Sequence, residues 1–385
     1  MQTGRILLIY ADLLGDYLLF RNHLLRLRAW TQARDLTLCF VGNAAIKPLY
    51  DFIDPDTTDH DAWIESYPPY TLTKKKLLKF PLAWWQSRQA VRALKTPRMV
   101  DALWCPSILP WVVSFISMHT ASPVKVSRDV EDPGYHRLQR WIYSDLMRPE
   151  NYYKFIFEQH GDFFEYVTGD SAWSQEVLLS FPRETMLGTF PRQDVLLAHS
   201  PYCVVFPDSQ EDYKQWPPQR IAETVACIRR ETGLRVLLCG HGKKRGLAEA
   251  ILSQLPSRDG VLNLMGETTL VDIFDVIGQS AFVVCNDSFA LHAANAMAVS
   301  PICITAGLYP GRYLPYPAPY QTAPHFYIYP PLTGQPGQHP LESITVRHVM
   351  PAVHAALAAA PKTGVTIGSD AAMVAFERER VRLSA

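Results

Sequence analysis

Apolar runs of strand length alternate with longer stretches whose apolar residues recur at helical spacing in the first third of the chain. "RILLIY" (5–10) predicts a strand, "GDYLLFRNHLLRLRAWTQ" (15–32) a helix, and "LTLCFVG" (36–42) a second strand. The alternation restarts near residue 200. "YCVVFP" (202–207), "RVLLCG" (235–240), "VLNLMG" (261–266), "AFVVCN" (281–286) and "SPICITAG" (300–307) predict strands. Between them lie the helical stretches 217–233, 243–255 and 269–280 and a helix starting at Ser288. A β/α alternation of this kind builds parallel sheets covered by helices on both faces.

Between the two alternating parts, Gly169 to Ser200 mixes Pro, Gly and polar residues with little periodicity, which places a linker near 180–198. The expected architecture is therefore α/β, with two Rossmann-like domains facing a central cleft. Their expected bounds are 1–185 and 198–360, followed by a helical C-terminal tail over 361–385. The Pro- and Tyr-rich stretch "YPGRYLPYPAPYQTAPHFYIYPP" (309–331) is expected to be an irregular surface segment.

Composition fits this picture. With 385 residues, 48% hydrophobic and 19% charged, the chain is long enough for two cores. Its formal net charge is zero, which removes the global field expected of many nucleic-acid binders. The seven cysteines are scattered, with no CxxC pair, and most sit in apolar runs. They are expected to be reduced and buried, as in a cytosolic protein, with neither a zinc site nor a disulfide framework. The N-terminus lacks a charged region and cleavage site, so no leader is expected. Residues 102–124 carry no formal charge, but Pro106, Pro110, four serines, His119 and Thr120 make them a poor membrane span.

In open α/β sheets ligands bind off the carboxyl ends of the strands. Four loops of the second half leave that edge: 207–214, 240–243, 266–269 and 286–288. Ser209, Gln210 and Lys214 offer a hydroxyl, an amide and an ammonium to a phosphate; the bland alternative is an exposed polar loop. Gly240 opens the second loop. Gly266 would let backbone approach a ligand, or simply make a turn, with a Thr-capped helix after it. "VVCNDSFALHAANAMA" (283–298) passes from strand to helix, and a helix start binds anions. Asp287 is itself an anion, so its plainest reading is a helix cap.

"K-x-W-P", "R-V-L-L-C-G", "N-L-x-G-x-T-x-L" and "N-D-S-x-x-x-H-x-A-N-A" occur in this order and at these spacings. The series closely resembles the C-terminal domain of glycosyltransferase family 9, the ADP-heptose:lipopolysaccharide heptosyltransferases. "RILLIYADLLGDYLLFRNHLLRLR" is similar to the family's opening strand, Gly-Asp loop and first helix. The resemblance implies the GT-B fold and inverting transfer of a sugar from a nucleotide donor, with ADP-heptose the expected donor. It puts Asp16 at the position of the catalytic base, where the plain alternative is a helix cap. It gives Lys214 to the leaving diphosphate, Ser209 and Gln210 to neighbouring polar positions of that loop, and Thr268 to the base. Asp287, Ser288 and His292 match the family's D-[ST]-G-x-x-H, which implies a diphosphate at the helix start and Asp287 on hydroxyls of the donor sugar. His292 would meet the donor or hold the loop. Three positions depart from the pattern: Phe289 replaces a glycine, Asp208 replaces a small residue, and "HGKKRG" follows the strand where an acidic ribose ligand is common.

Residues 71–98 contain eight Lys/Arg and no acidic residue, and seven of the nine tryptophans precede residue 150. This suits an anionic, lipid-linked glycan or a membrane surface, with Lys74, Lys75, Lys76 and Lys79 as acceptor-binding candidates. The alternative is a solvated helix face with Trp84 and Trp85 in the core. The expectation is a glycosyltransferase without metal or cofactor, extending a lipopolysaccharide core or related surface glycan. It would be cytoplasmic and peripheral at the inner face of the inner membrane, with no nucleic-acid partner. Other readings are a different nucleotide sugar or a protein acceptor, a non-catalytic binding member, and a nucleotide-sugar epimerase.

Overall fold

The structure, a computed structural model, describes residues 4–64, 100–107, 110–129, 133–175, 177–197, 201–209, 211–308, 310–331 and 341–360, with a few single positions between 81 and 92. It divides into two compact units. The first comprises residues up to Ser180 together with Tyr309–Pro315, and the second Phe181–Leu308 and the chain from Tyr316 onward. The expected bounds of 1–185 and 198–360 thus become a division at Ser180, with one return excursion at 309–315. The stretch read as a linker carries short helices at Arg183–Met186 and Gln193–Leu197, both within the second unit. The tail over 361–385 lies outside the described residues.

The first unit holds a six-stranded parallel sheet of β1 (Arg5–Tyr10), β2 (Thr37–Asn43), β3 (His60–Ile64), β4 (Ala102–Cys105), β5 (Val124–Arg128) and β6 (Asp145–Met147). Its spatial order is β3-β2-β1-β4-β5-β6. The second sheet is built from β7 (Tyr202–Phe206), β8 (Arg235–Leu238), β9 (Val261–Asn263), β10 (Val283–Asn286), β11 (Pro301–Ile304) and β12 (Phe326–Ile328), in the order β12-β11-β10-β7-β8-β9. Numbered within each unit, both sheets run 3-2-1-4-5-6, the Rossmann order. The order reverses beside the first strand, so the ligand-binding switch points fall between β1 and β4 and between β7 and β10.

The central strands are continuous apolar runs because both faces are covered. Every residue of β7, β10 and β11 is buried. Val205, Val236, Leu238, Val284, Ile302 and Ile304 form one core with Ile221, Val225 and Ile228 of the Pro218–Thr232 helix and Val349 and Val353 of the Val346–Ala359 helix. In the first unit Leu7, Ile9, Cys39, Val41, Leu103 and Ile116 do the same. All seven cysteines are buried and unbridged.

The uncharged stretch from 102 to 124, expected to be a poor membrane span, contains β4, the Pro110–His119 helix and the start of β5, and no helix among the described residues is long and apolar enough to cross a membrane. Two expectations are corrected. The first helix begins at Leu14, ahead of the expected Gly15. The Pro/Tyr-rich segment is not simply an irregular surface: it contains edge strand β12 and buries Leu314 and Tyr316.

Candidate active site

In the second unit, the four loops expected from the sequence leave the carboxyl ends of β7 to β10. Asn286, at the end of β10, ties two of them together. Its amide donates to Pro207 O at 2.7 Å, and its Oδ1 accepts from Trp216 N at 3.1 Å. This brackets the 207–216 loop and brings Lys214 to the start of the next helix. Lys214 Nζ lies 2.8 Å from Asp287 Oδ2, with both side chains largely buried.

Asp287 is therefore not the helix cap. Ser288 occupies the N-cap of the Phe289–Ala296 helix with extended backbone, yet its side chain makes no capping bond. Its Oγ is buried without any hydrogen-bond partner. An unsatisfied buried hydroxyl costs about 1–3 kcal/mol, and here it sits where helix N–H groups and a dipole favour an anion. Phe289 takes the first helical position, and its ring meets Phe274 edge-on at 5.6 Å. The aromatic ring thus packs on the Leu270–Gly278 helix, while a normal helical backbone presents the Phe289 N–H.

His292, one turn further on, is buried, and its Nδ1 is 2.6 Å from Tyr316 Oη. Burial lowers its pKa to about 4; Asp287 opposes that shift and Lys214 adds to it. The imidazole is neutral at neutral pH, a hydrogen-bonding group and not a charge. Tyr316 N in turn donates to Tyr327 Oη, which pairs with His325 Nδ1.

The glycines serve the scaffold. A Cβ on Gly240 would stand 2.8 Å from Met265 Cε and 3.0 Å from Asp208 Oδ2. Gly266, at φ +76°, packs its backbone against Gly242, where a Cβ would come within 2.5 Å of Cα. The approach expected at Gly266 is thus one of loop to loop. Asp208 is buried, and its Oδ2 accepts from His241 N at 2.7 Å. Burial pushes its carboxyl up, and the His241 N–H and charges nearby moderate this. Asp208 thereby fixes the loop after β8. Thr269 caps the Leu270–Gly278 helix through Asp272, as expected, and Thr268 lies half-buried in the turn before it. Ser209 is buried next to Asp208. Gln210 lies outside the described residues.

In the first unit, Asp16 is the third residue of the Leu14–Gln32 helix, half-buried, with its Oδ2 accepting from Leu13 N at 3.2 Å. Leu13 has no side-chain acceptor, so only this half of a capping box exists. The next residue anchors the helix: Tyr17 Oη donates to Asp54 Oδ2 at 2.9 Å, and Arg21 grips the same carboxylate at 2.7 and 2.8 Å. Sequence reasoning passed over a second carboxylate, Asp12, which is fully buried at the end of β1 and receives a hydrogen bond from Ser107 Oγ at the end of β4. Asp12 and Ser107 mark the switch point. The signal was its position two residues past a buried strand. Asp12 and Asp16 both push the Tyr10 hydroxyl pKa up, after burial, so both carboxylates lie near the end of β1. Lys74, Lys75, Lys76 and Lys79 lie outside the described residues, as does Trp84. Trp85 is 55% exposed, which removes it from the core.

Two parallel 3-2-1-4-5-6 sheets, each with polar groups gathered at its switch point, define an α/β protein of the GT-B class. The family model of glycosyltransferase family 9 (heptosyltransferase) matches residues 111–322, more than half of the chain, and the chain belongs to that family. It is 30% identical over 135 residues to lipooligosaccharide heptosyltransferase 2 of Haemophilus influenzae, a match spanning 34% of this chain and 36% of that relative. The chain thus matches about a third of that relative's length. Among solved structures, the family 9 glycosyl transferase of Veillonella parvula superposes with a TM-score of 0.67 at 14% identity, over 93% of this chain and 99% of that one. Escherichia coli ADP-heptose lps heptosyltransferase II gives 0.63 at 17%, over 92% and 98%. The E. coli heptosyltransferase WaaC with ADP-2-deoxy-2-fluoro heptose gives 0.62 at 17%, over 91% and 99%.

Proposed function

We propose that the protein transfers a sugar, with inversion, from a nucleoside-diphosphate donor to a hydroxyl of a lipopolysaccharide-core or related surface glycan, and that the donor is ADP-heptose. The observation that carries this reading is the conjunction of Lys214, Asp287 and the orphan Ser288 Oγ at one helix start. A diphosphate there would supply the acceptor that Ser288 lacks and would take the place of Asp287 as the anionic partner of Lys214. Family membership and the ADP-2-deoxy-2-fluoro heptose of the WaaC structure support the choice of sugar nucleotide.

In this mechanism Asp16 takes the proton from the acceptor hydroxyl as its oxygen attacks the anomeric carbon, and the bond to the diphosphate breaks. Lys214 and the N–H groups at the start of the Phe289–Ala296 helix offset the charge growing on the leaving group. Asp287, displaced from Lys214 by the diphosphate, turns to hydroxyls of the sugar. His292 holds the helix start through Tyr316. The mechanism calls on no metal: lysine and helix dipole carry the neutralisation. Lys74, Lys75, Lys76 and Lys79 would draw the protein to an anionic acceptor surface.

Calorimetric titration with ADP, UDP, GDP and CDP tests the donor half. Saturable binding of ADP, lost in Lys214→Ala, is the expected result. Preference for another nucleotide would redirect the donor assignment, and no nucleoside diphosphate binding at millimolar concentration would favour a non-catalytic member.

A further inference from the structure

The Phe289–Ala296 helix, which Ser288 begins, is tied to the 316–327 segment by two side chains three residues apart on one face, His292 and Asn295. His292 Nδ1 lies 2.6 Å from Tyr316 Oη. Asn295 Nδ2 donates to Tyr320 O at 3.1 Å, its Oδ1 accepts from Thr322 N at 3.0 Å, and its backbone carbonyl accepts from Thr322 Oγ1. A backbone N–H can only donate and a carbonyl can only accept, so the orientation of the Asn295 amide is settled.

That orientation dictates the protons of the groups that follow. His325 Nε2 stands 2.8 Å from the same Asn295 Oδ1 and must donate to it. Burial, with His292 adding to it, lowers the His325 pKa to about 3, so the ring is neutral. Its Nδ1 is then bare and accepts from Tyr327 Oη at 2.8 Å. The Tyr327 oxygen in turn accepts from Tyr316 N at 2.9 Å, while Tyr316 O accepts from Gln321 Nε2 at 2.7 Å. Each of these links has one direction only. The chain leaves the helix at Asn295 and returns to it at His292 through the Tyr316 side chain. Apolar contacts would hold a helix here without desolvating so many polar groups.

What the chain delivers to the helix is the Tyr316 hydroxyl. A phenol is a better donor than acceptor, and the bare nitrogen of a neutral imidazole accepts well. We infer that Tyr316 is a positioning residue of the donor site: its hydroxyl donates to His292 Nδ1 and keeps the His292 proton on Nε2, where the ring offers a fixed N–H to an oxygen of the nucleotide sugar. Asn295, His325 and Tyr327 hold Tyr316 in that pose. His292 lies one turn from Ser288 and feels the charges of both Asp287 and Lys214. A neutral donor there adds a hydrogen bond without a further positive charge for Asp287 to compete for. The inference rests on the proposed transfer only for the ligand that His292 meets; the tautomer and its cause stand apart from it.

Full-length protein carrying ¹⁵N-histidine tests both halves. Long-range ¹H–¹⁵N correlation distinguishes a protonated ring nitrogen from a bare one, and His292→Gln assigns the His292 signals among the twelve histidines. In the parent, His292 and His325 should both carry the proton on Nε2. Tyr316→Phe, which keeps the ring, should leave His292 as a mixture of tautomers and weaken ADP about fivefold or more by calorimetry. In a His292→Gln background the same change should leave ADP affinity within about twofold, because Tyr316 acts through His292. His325→Leu should also weaken ADP. His325→Gln, whose amide offers an N–H to Asn295 and a carbonyl to Tyr327, should regain most of that loss. Unfolding curves without ligand check that each variant is folded. A His292 proton on Nδ1 in the parent, a tautomer indifferent to Tyr316→Phe, or the same loss of ADP affinity with and without His292 would overturn the inference. Should the parent bind no nucleoside diphosphate while the tautomer shifts as stated, only the proposed transfer, and with it the ligand of His292, would fall.

Discussion

Lys214 Nζ and Asp287 Oδ2 stand 2.8 Å apart across two loops that leave adjacent strands, β7 and β10. The pair makes Asp287 a competitor of any anion that Lys214 would bind. Asp287→Asn should therefore tighten nucleoside diphosphate binding several-fold while lowering transfer, because in the proposed mechanism the same carboxylate serves the donor sugar. Lys214→Ala should weaken the diphosphate by about 1.5–3 kcal/mol, the scale of a hydrogen bond to a charged group. Calorimetry on both variants checks the signs; parallel losses in binding would make Asp287 a simple ligand and not a competitor.

The Asp54 carboxylate, nearly inaccessible, holds Tyr17 and Arg21 on the helix that carries Asp16. Removing it leaves a buried guanidinium uncompensated. Asp54→Ala should cost about 3–5 kcal/mol in urea unfolding. Replacing Arg21 and Asp54 together by Met and Leu should recover much of that, and a double-mutant cycle measures the coupling.

Much of this was legible in the sequence, and the limits have physical causes. The five strands from β7 to β11 announce themselves as apolar runs ending in Gly, Pro or Asn. β3 and β6, with burial alternating or partial, and β12, half-exposed throughout, carry too little apolar signal in three to five residues. β4 is apolar, but it sits in a longer uncharged stretch that hides its ends. Lys214, Asp287 and Ser288 could be assigned to one edge from their positions after strands. That Lys214 pairs with Asp287, and that Ser288 rather than Asp287 is the N-cap, depends on β10 lying beside β7. The 309–315 excursion has no local signature, because only tertiary packing sends it to the first unit. Asp208 departs from the small residue of the family pattern, and only its bond from His241 N shows that it braces the loop.

Burial lowers the pKa of His292 to about 4 and of His23 and His325 to about 3. A histidine whose folded pKa is depressed binds protons more readily when unfolded. Stability contributed by its neutral form is full above the unfolded pKa of about 6.5, and is lost as pH falls toward the folded values. The melting temperature should drop steadily between pH 6.5 and pH 4. His325→Gln should flatten that slope, provided the amide keeps the bonds to Asn295 and Tyr327. A melting temperature independent of pH over this interval would mean that these imidazoles are not buried as neutral groups.

Asp16 accepts from Leu13 N, and Tyr17 and Arg21 anchor the helix independently on Asp54, so its carboxylate can be changed without dismantling the helix. In the proposed mechanism the base acts on the acceptor hydroxyl, whereas the donor would be held by groups in the second unit. Asp16→Asn keeps the shape and the bond to Leu13 N but cannot accept the proton. Transfer should fall by about 10²–10⁴, the usual range for a general base, while nucleoside diphosphate affinity stays within twofold. Asp12→Asn separates the two carboxylates. Asp12 is sealed between Ser107 and the electrostatic reach of Arg128, and so should affect stability and acceptor KM more than turnover. Single-turnover assays with donor preloaded would distinguish them. Should Asp12→Asn abolish the chemical step and Asp16→Asn spare it, the base would be the buried carboxylate at the switch point, and the helix residue would be its neighbour.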